Sequence, residues 1–131
     1  MYCATKFAVE GLSEALHEEL KPLGIHTTVV EPDYSRTDFP DASSLIKSER
    51  VIEDYDATSG AVRRFAAYSH NQPGEPVRMA AGMITLVDST EPPLRLALGS
   101  DTLAAIAEKN AYVEHETKAR AVLSASTDFP N

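Results

Sequence analysis

The sequence predicts an α/β chain, mostly helical, with about two short parallel strands. Three observations predict it. The opening residues 1–20 place Ala4, Phe7, Ala8, Gly11, Leu12, Ala15, Leu16 and Leu20 at steps of three and four, which is one stripe along a helix. A β-branched run over 25–30 follows after a tight turn, the αβ step of an α/β unit. Leu94, Leu96 and Leu98 alternate with Arg95 and Ala97, a second strand ending at Gly99.

The elements follow in order. Glu10, Glu14, Glu18 and Glu19 take the side of the first helix opposite its apolar stripe. Pro22 and Gly24 end it, with Gly24 suited to a left-handed backbone. No Ser, Thr, Asp or Asn precedes Tyr2 to cap its start. Pro32 ends the first strand, and 33–39 reads as an irregular loop. Residues 48–68 read as one helix or two in series, with Gly60 as a break. Residues 71–74 form a turn, and Pro76 suits the first turn of a further helix through Val87. Pro92 and Pro93 break the chain, and Ser100 is placed to cap a last helix through Leu103, Ile106, Tyr112 and Val113. Met79, Met83, Tyr55, Tyr68 and Tyr112 are expected to fill the core. Residues 1–131 form a single partial domain, with 125–131 as a loose tail.

The 131 residues carry a formal net charge of −8, which argues against a nucleic-acid groove. The one cysteine, Cys3, cannot form an internal disulfide, and there is neither a long apolar run nor a basic–apolar leader. These features predict a cytoplasmic chain with no membrane partner. His17, His26, His70 and His115 lack the spacing of a zinc site, so no metal is expected and surface or hydrogen-bonded histidines are.

Tyr2 and Lys6 are four apart and share a helix face. A phenol, with a pKa near 10, is a poor base at neutral pH. An ammonium about 4 Å away at an effective dielectric near 20 stabilises the phenolate by at most roughly 4 kcal/mol. Each pKa unit requires only about 1.4 kcal/mol. The positive end of the helix dipole acts in the same direction. Such a tyrosine can take a proton from an alcohol or give one to a carbonyl.

The text around this pair, YCATKFAVEGLSEAL over 2–16, closely resembles the active-site helix of the short-chain dehydrogenase/reductase family. The likeness continues through Leu20, Pro22, Gly24 and Ile25 into Glu31, Pro32, Arg36, Thr37, Asp38 and Phe39, and more loosely beyond. It implies the carboxyl-terminal portion of a Rossmann-like doubly wound fold. It also implies an oxidoreductase that moves hydride between NAD or NADP and an alcohol or carbonyl substrate. Under this resemblance Tyr2 is the catalytic acid/base, and Lys6 assists it and holds the nicotinamide ribose. Pro32 opens the loop lining the nicotinamide, Ser35 presents a backbone amide to the carboxamide, and Thr37 contacts the cofactor beside it. Asp33 and Ser35 depart from the family, which has glycine after this proline and commonly an apolar residue at the position of Ser35.

The family's glycine-rich phosphate turn has no counterpart: the glycines stand at 11, 24, 60, 74, 82 and 99, no two separated by one residue. The chain by itself is therefore expected to lack the cofactor-binding half and to be inactive. The rival expectation is a non-catalytic remnant that only packs against a partner, with Ala4, Ala8, Gly11 and Ala15 permitting close approach in a homo-oligomer. Two strands with few neighbours predict a chain that self-associates or aggregates.

Overall fold

The computed structural model describes residues 2–41, 44, 50, 52–58, 60 and 70–129. Helix α1 spans Tyr2–Leu20 and passes into a short 3-10 turn at Lys21–Leu23. Gly24 closes that turn at φ 72°, its N–H donating to the Lys21 carbonyl. This is the left-handed position that a residue without Cβ adopts at no steric cost.

Strand β1 is Val29–Pro32 and strand β2 is Arg95–Leu98. They pair in parallel, with Val29 opposite Arg95 and Pro32 opposite Leu98. The first strand thus begins later than its β-branched run suggests and includes the proline expected to end it. The partner strand sets both limits. Val29 N–H donates to the Leu94 carbonyl, and Thr28 uses its hydroxyl on the Pro93 carbonyl. Pro93 has no N–H with which to extend the ladder. At the other end Asp33 N–H donates to the Leu98 carbonyl. Pro32 is tolerated because, among the described residues, β1 pairs on one side only, so no ladder bond is lost at its nitrogen.

Helix α2, Pro76–Val87, begins on Glu75, whose carboxylate accepts from the backbone N–H of Val77 and Arg78. It approaches the sheet at Gly82, where an added Cβ would lie 3.2 Å from a Leu98 methyl. Helix α3, Ser100–Ala125, starts at the expected cap itself, one residue earlier than predicted. Gly99 occupies the cap position at φ 119°, its carbonyl accepts from Leu103 N–H, and Ser100 is already helical. The helix runs well past Val113 and leaves the chain in a turn at Ser126.

Two expectations are corrected. Residues 53–58 form a 3-10 turn, Glu53–Tyr55, and a following turn rather than an α-helix. Ile52 enters in an extended conformation, and the Thr58 hydroxyl folds back onto the Tyr55 carbonyl. The rest of the predicted helix over 48–68 lies largely outside the described residues. The expected core fillers also differ. Tyr55, Tyr112 and Met83 are exposed, Met79 is half-buried, and Tyr68 lies outside the described residues. The physical reason is the shallow core. A two-stranded sheet offers little area per face, and Val29 is the one hydrophobic residue buried among those described.

The first helix is turned from the orientation its stripe suggests. Phe7 and Leu12 are 67% and 61% exposed. The half-buried face carries Glu10, Ser13, Leu16, His17 and Leu20, so two glutamates reach the sheet while Glu18 and Glu19 stay exposed. Arg95 of β2 donates to Glu14 at 2.8 and 3.2 Å, to Glu10 at 3.3 Å, and to Glu31 of β1. His17 Nδ1 lies 3.2 Å from the Thr27 carbonyl, a partner-bonded histidine as expected. Hydrogen bonds to Glu14 above all, then to Glu31 and Glu10, raise Arg95 beyond the ordinary arginine range against the opposing effect of its burial. No helix among the described residues is long and apolar enough to cross a membrane.

Candidate functional site

At the carboxyl end of β1 the chain leaves the sheet and runs across the amino end of α1. In open α/β sheets this crevice is where ligands bind. A cavity of about 390 Å³ opens there, lined by Tyr2 of α1, by Pro32, Ser35, Thr37, Phe39 and Pro40 of the loop, and by Gln72 and Met79. The structure thus brings Tyr2, Pro32, Ser35 and Thr37 to one cavity. Lys6 stands beside it, its ammonium 5.4 Å from the centre of the Tyr2 ring, as their i, i+4 spacing requires. The Tyr2 ring leans on Phe39, with centroids 5.9 Å apart and planes tilted by 46°.

The loop is held by a single parallel bridge between Ser35 and Gly74. Arg36 N–H donates to the Gly74 carbonyl at 2.9 Å, and Gly74 N–H donates to the Tyr34 carbonyl at 3.1 Å. This pattern uses the groups on either side of Ser35 and leaves the Ser35 N–H outside the bridge. The Arg36 guanidinium adds two bonds, at 3.2 and 3.1 Å, to the Gln72 carbonyl.

Asp33 fits because two distant glycines make room for it. A Cβ on Gly74 would stand 2.0 Å from Asp33 Oδ1, and one on Gly99 would stand 2.3 Å from Asp33 Cβ. The carboxylate is wedged between these backbones and accepts from the Ser35 hydroxyl at 3.2 Å. Asp101, at the start of α3, accepts from the Tyr34 N–H at 3.3 Å.

Sequence reasoning missed Gln72. It is only 2% exposed, and neither Nε2 nor Oε1 finds a hydrogen-bond partner. Each unmatched buried group costs roughly 1–3 kcal/mol. Nothing in the sequence signals this, because burial of a loop glutamine depends on the loop opposite.

A larger cavity, about 760 Å³, lies between α1, the sheet and α3, with Phe7, Glu31, Arg95 and Ile106 in its walls. It contains neither Tyr2 nor Thr37, so volume does not mark the chemistry here. On the loops that line the smaller cavity, Asp38, Asp41 and His70 each bring one potential ligand atom within 4.8 Å of the others, with His70 Nε2 3.3 Å from Asp41. Their spacing in sequence, 38, 41 and 70, hid this grouping.

Known proteins resemble the chain in sequence and in fold. The family model for short chain dehydrogenase matches residues 1–45. Oxidoreductase BOA17 of Botryotinia fuckeliana (strain B05.10) is 36% identical over 128 residues, 97% of this chain and 42% of that protein. The 3-ketodihydrosphingosine reductase of Bacteroides thetaiotaomicron is 31% identical over 98 residues, 75% of this chain and 36% of its own length. A short-chain dehydrogenase from Streptomyces avermitilis superposes with a TM-score of 0.78 at 32% identity, covering 98% of this chain and 45% of that one. The chain therefore spans less than half the length of these relatives. Its mostly helical fold with a parallel two-stranded sheet, its superposition and its sequence matches make it part of a protein of the short-chain dehydrogenase/reductase family.

Proposed function

We propose that this chain carries the proton-transfer and nicotinamide-facing part of an NAD- or NADP-dependent oxidoreductase acting on a small alcohol or carbonyl substrate. The observation that carries the reading is the convergence of Tyr2, Pro32, Ser35 and Thr37, up to 35 positions apart in sequence, on one cavity with Lys6 beside Tyr2. The donor set suits the nicotinamide end of the cofactor. Thr37 offers a hydroxyl, Ser35 an amide outside its bridge, and Pro32 an apolar surface. The cofactor, when bound, supplies the hydride. Tyr2 gives its phenolic proton to the carbonyl oxygen in reduction and takes it back in oxidation. The Lys6 ammonium stabilises the phenolate that this leaves and reaches the ribose.

The residues do not suit the cofactor's phosphates. No two of the six glycines are separated by one residue, so no glycine-rich cradle forms within these 131 residues. The 131 residues alone are accordingly inactive, a single partial domain. The exposed small-residue stripe of α1, with Phe7 and Leu12 beside it, supports a homo-oligomer through that helix. The same stripe favours the second reading, a non-catalytic packing partner. Nucleic acid and membrane are not partners under either reading, and the cytoplasm is the expected location.

The test is calorimetric titration with NADH and NADPH of two proteins. One is the 131-residue chain. The other is the chain joined to the part of the Streptomyces avermitilis dehydrogenase that it does not span. The proposal expects micromolar binding by the joined protein and at least about 100-fold weaker binding by the chain alone, a difference near 2.7 kcal/mol. A folded joined protein that binds neither dinucleotide contradicts it.

A further inference from the structure

We propose that Gln72 is a specificity-determining residue. Its carboxamide takes a neutral hydrogen-bonding group that the substrate carries beside its reacting alcohol or carbonyl. The inference rests on reading the cavity as a site of hydride transfer. Gln72 lines that cavity with Tyr2 and Thr37, is 2% exposed, and pairs neither polar atom within the chain. Buried polar side chains are nearly always hydrogen-bonded, so one without a partner points to a ligand.

The residue is also fixed in place. Arg36 grips its carbonyl with two bonds, and Gly74, two residues on, is tied on both sides to the Tyr34–Arg36 strand of the loop. These bonds fix the Gln72 backbone, and the residue's 2% exposure places its carboxamide within the cavity wall. A glutamine side chain presents N–H donors and a carbonyl acceptor together. Its match is a group that also does both, a hydroxyl or an amide. Charge argues against a carboxylate on the substrate. The described wall of the cavity holds Asp33 and no lysine or arginine.

The experiment is an NMR titration of the chain joined to the part of the Streptomyces avermitilis dehydrogenase that it does not span, with and without NADH, using 2-pentanone, 4-hydroxy-2-butanone and acetoacetate. These probes are a ketone with no second polar group, with a hydroxyl and with a carboxylate. The wild type should bind the hydroxyketone about tenfold more tightly than 2-pentanone, and acetoacetate most weakly. Gln72→Met, similar in length and without hydrogen bonds, should abolish the preference while keeping affinity for 2-pentanone. In the wild type the Gln72 side-chain NH₂ resonances should shift with the hydroxyketone and not with 2-pentanone, a readout that needs no variant to fold. Binding of 2-pentanone with no preference for the hydroxyketone, or a preference that survives Gln72→Met, overturns the role of Gln72 alone. A folded joined protein that binds NADH and none of the probes overturns the reading of the cavity and this inference together.

Discussion

Replacing Gly74 by alanine should destabilise the chain through one side chain, that of Asp33. The new methyl would stand 2.0, 2.5 and 2.6 Å from Asp33 Oδ1, Cγ and Oδ2. Contacts this short force movement, and the backbone at Gly74 is not left-handed, so the cost is steric rather than conformational. The carboxylate cannot step aside freely. Gly99 closes the far side, with its would-be Cβ 2.3 Å from Asp33 Cβ, and the Ser35 hydroxyl holds Oδ1 at 3.2 Å. Overpacking of this kind costs about 1–3 kcal/mol. In an Asp33→Gly background the obstructing atoms are gone, and Gly74→Ala should be close to neutral. The coupling energy from a double-mutant cycle should therefore be about 1–3 kcal/mol. Urea unfolding followed by circular dichroism measures it, with midpoints compared at constant slope. Equal destabilisation by Gly74→Ala in both backgrounds would show that Asp33 does not fill the space between the glycines. Gly99→Ala should be rescued only in part, since its φ of 119° remains unfavourable for any Cβ.

Two further outcomes follow from the docking of α1. Arg95→Ala should cost about 1–2 kcal/mol, since it leaves Glu10, Glu14 and Glu31 facing one another without their cation. That figure is discounted because the guanidinium is 38% exposed. The sign of its pH dependence is fixed. A raised folded value gives stability that is present below the unfolded arginine range and lost only as pH climbs through the folded value, so Arg95 adds no slope near neutrality. Melting curves at several pH values check both points, and a variant as stable as the wild type would refute the ionic docking. Gly11 meets nothing within 4 Å in the chain, so Gly11→Ala should stabilise the isolated helix by about 1 kcal/mol. If α1 is the face where copies meet, the same methyl should weaken self-association in sedimentation velocity, whereas unchanged association would remove α1 from the interface.

Local chemistry made part of this molecule legible in its sequence. Pro22 and Gly24 marked the end of α1, the alternation around Arg95 marked β2, and Pro76 marked the start of α2, because each acts through its own backbone. The spacing of Tyr2 and Lys6 likewise survives folding, since both lie on one helix. What depended on distant partners stayed hidden. Glu10 and Glu14 looked like part of a solvated face until Arg95, more than 80 positions away, paired them with the sheet. Asp33 looked out of place because its two permitting glycines lie 41 and 66 residues on. Glu75 gave no conventional cap signal, yet its carboxylate satisfies two N–H groups of α2. Gln72 was invisible for the same reason that it is informative: its burial is a property of two loops together.

The most direct test of the central claim is the effect of Tyr2→Phe on turnover. The host is the chain joined to the remaining part of the Streptomyces avermitilis dehydrogenase, with NADH or NADPH oxidation followed by absorbance against a panel of small ketones. Removing one phenolic oxygen should lower kcat by about 10²–10⁴, the range that positioned acid–base catalysis supplies, with dinucleotide affinity nearly unchanged. Turnover that persists undiminished in Tyr2→Phe, in a folded protein that binds the dinucleotide, would contradict the account.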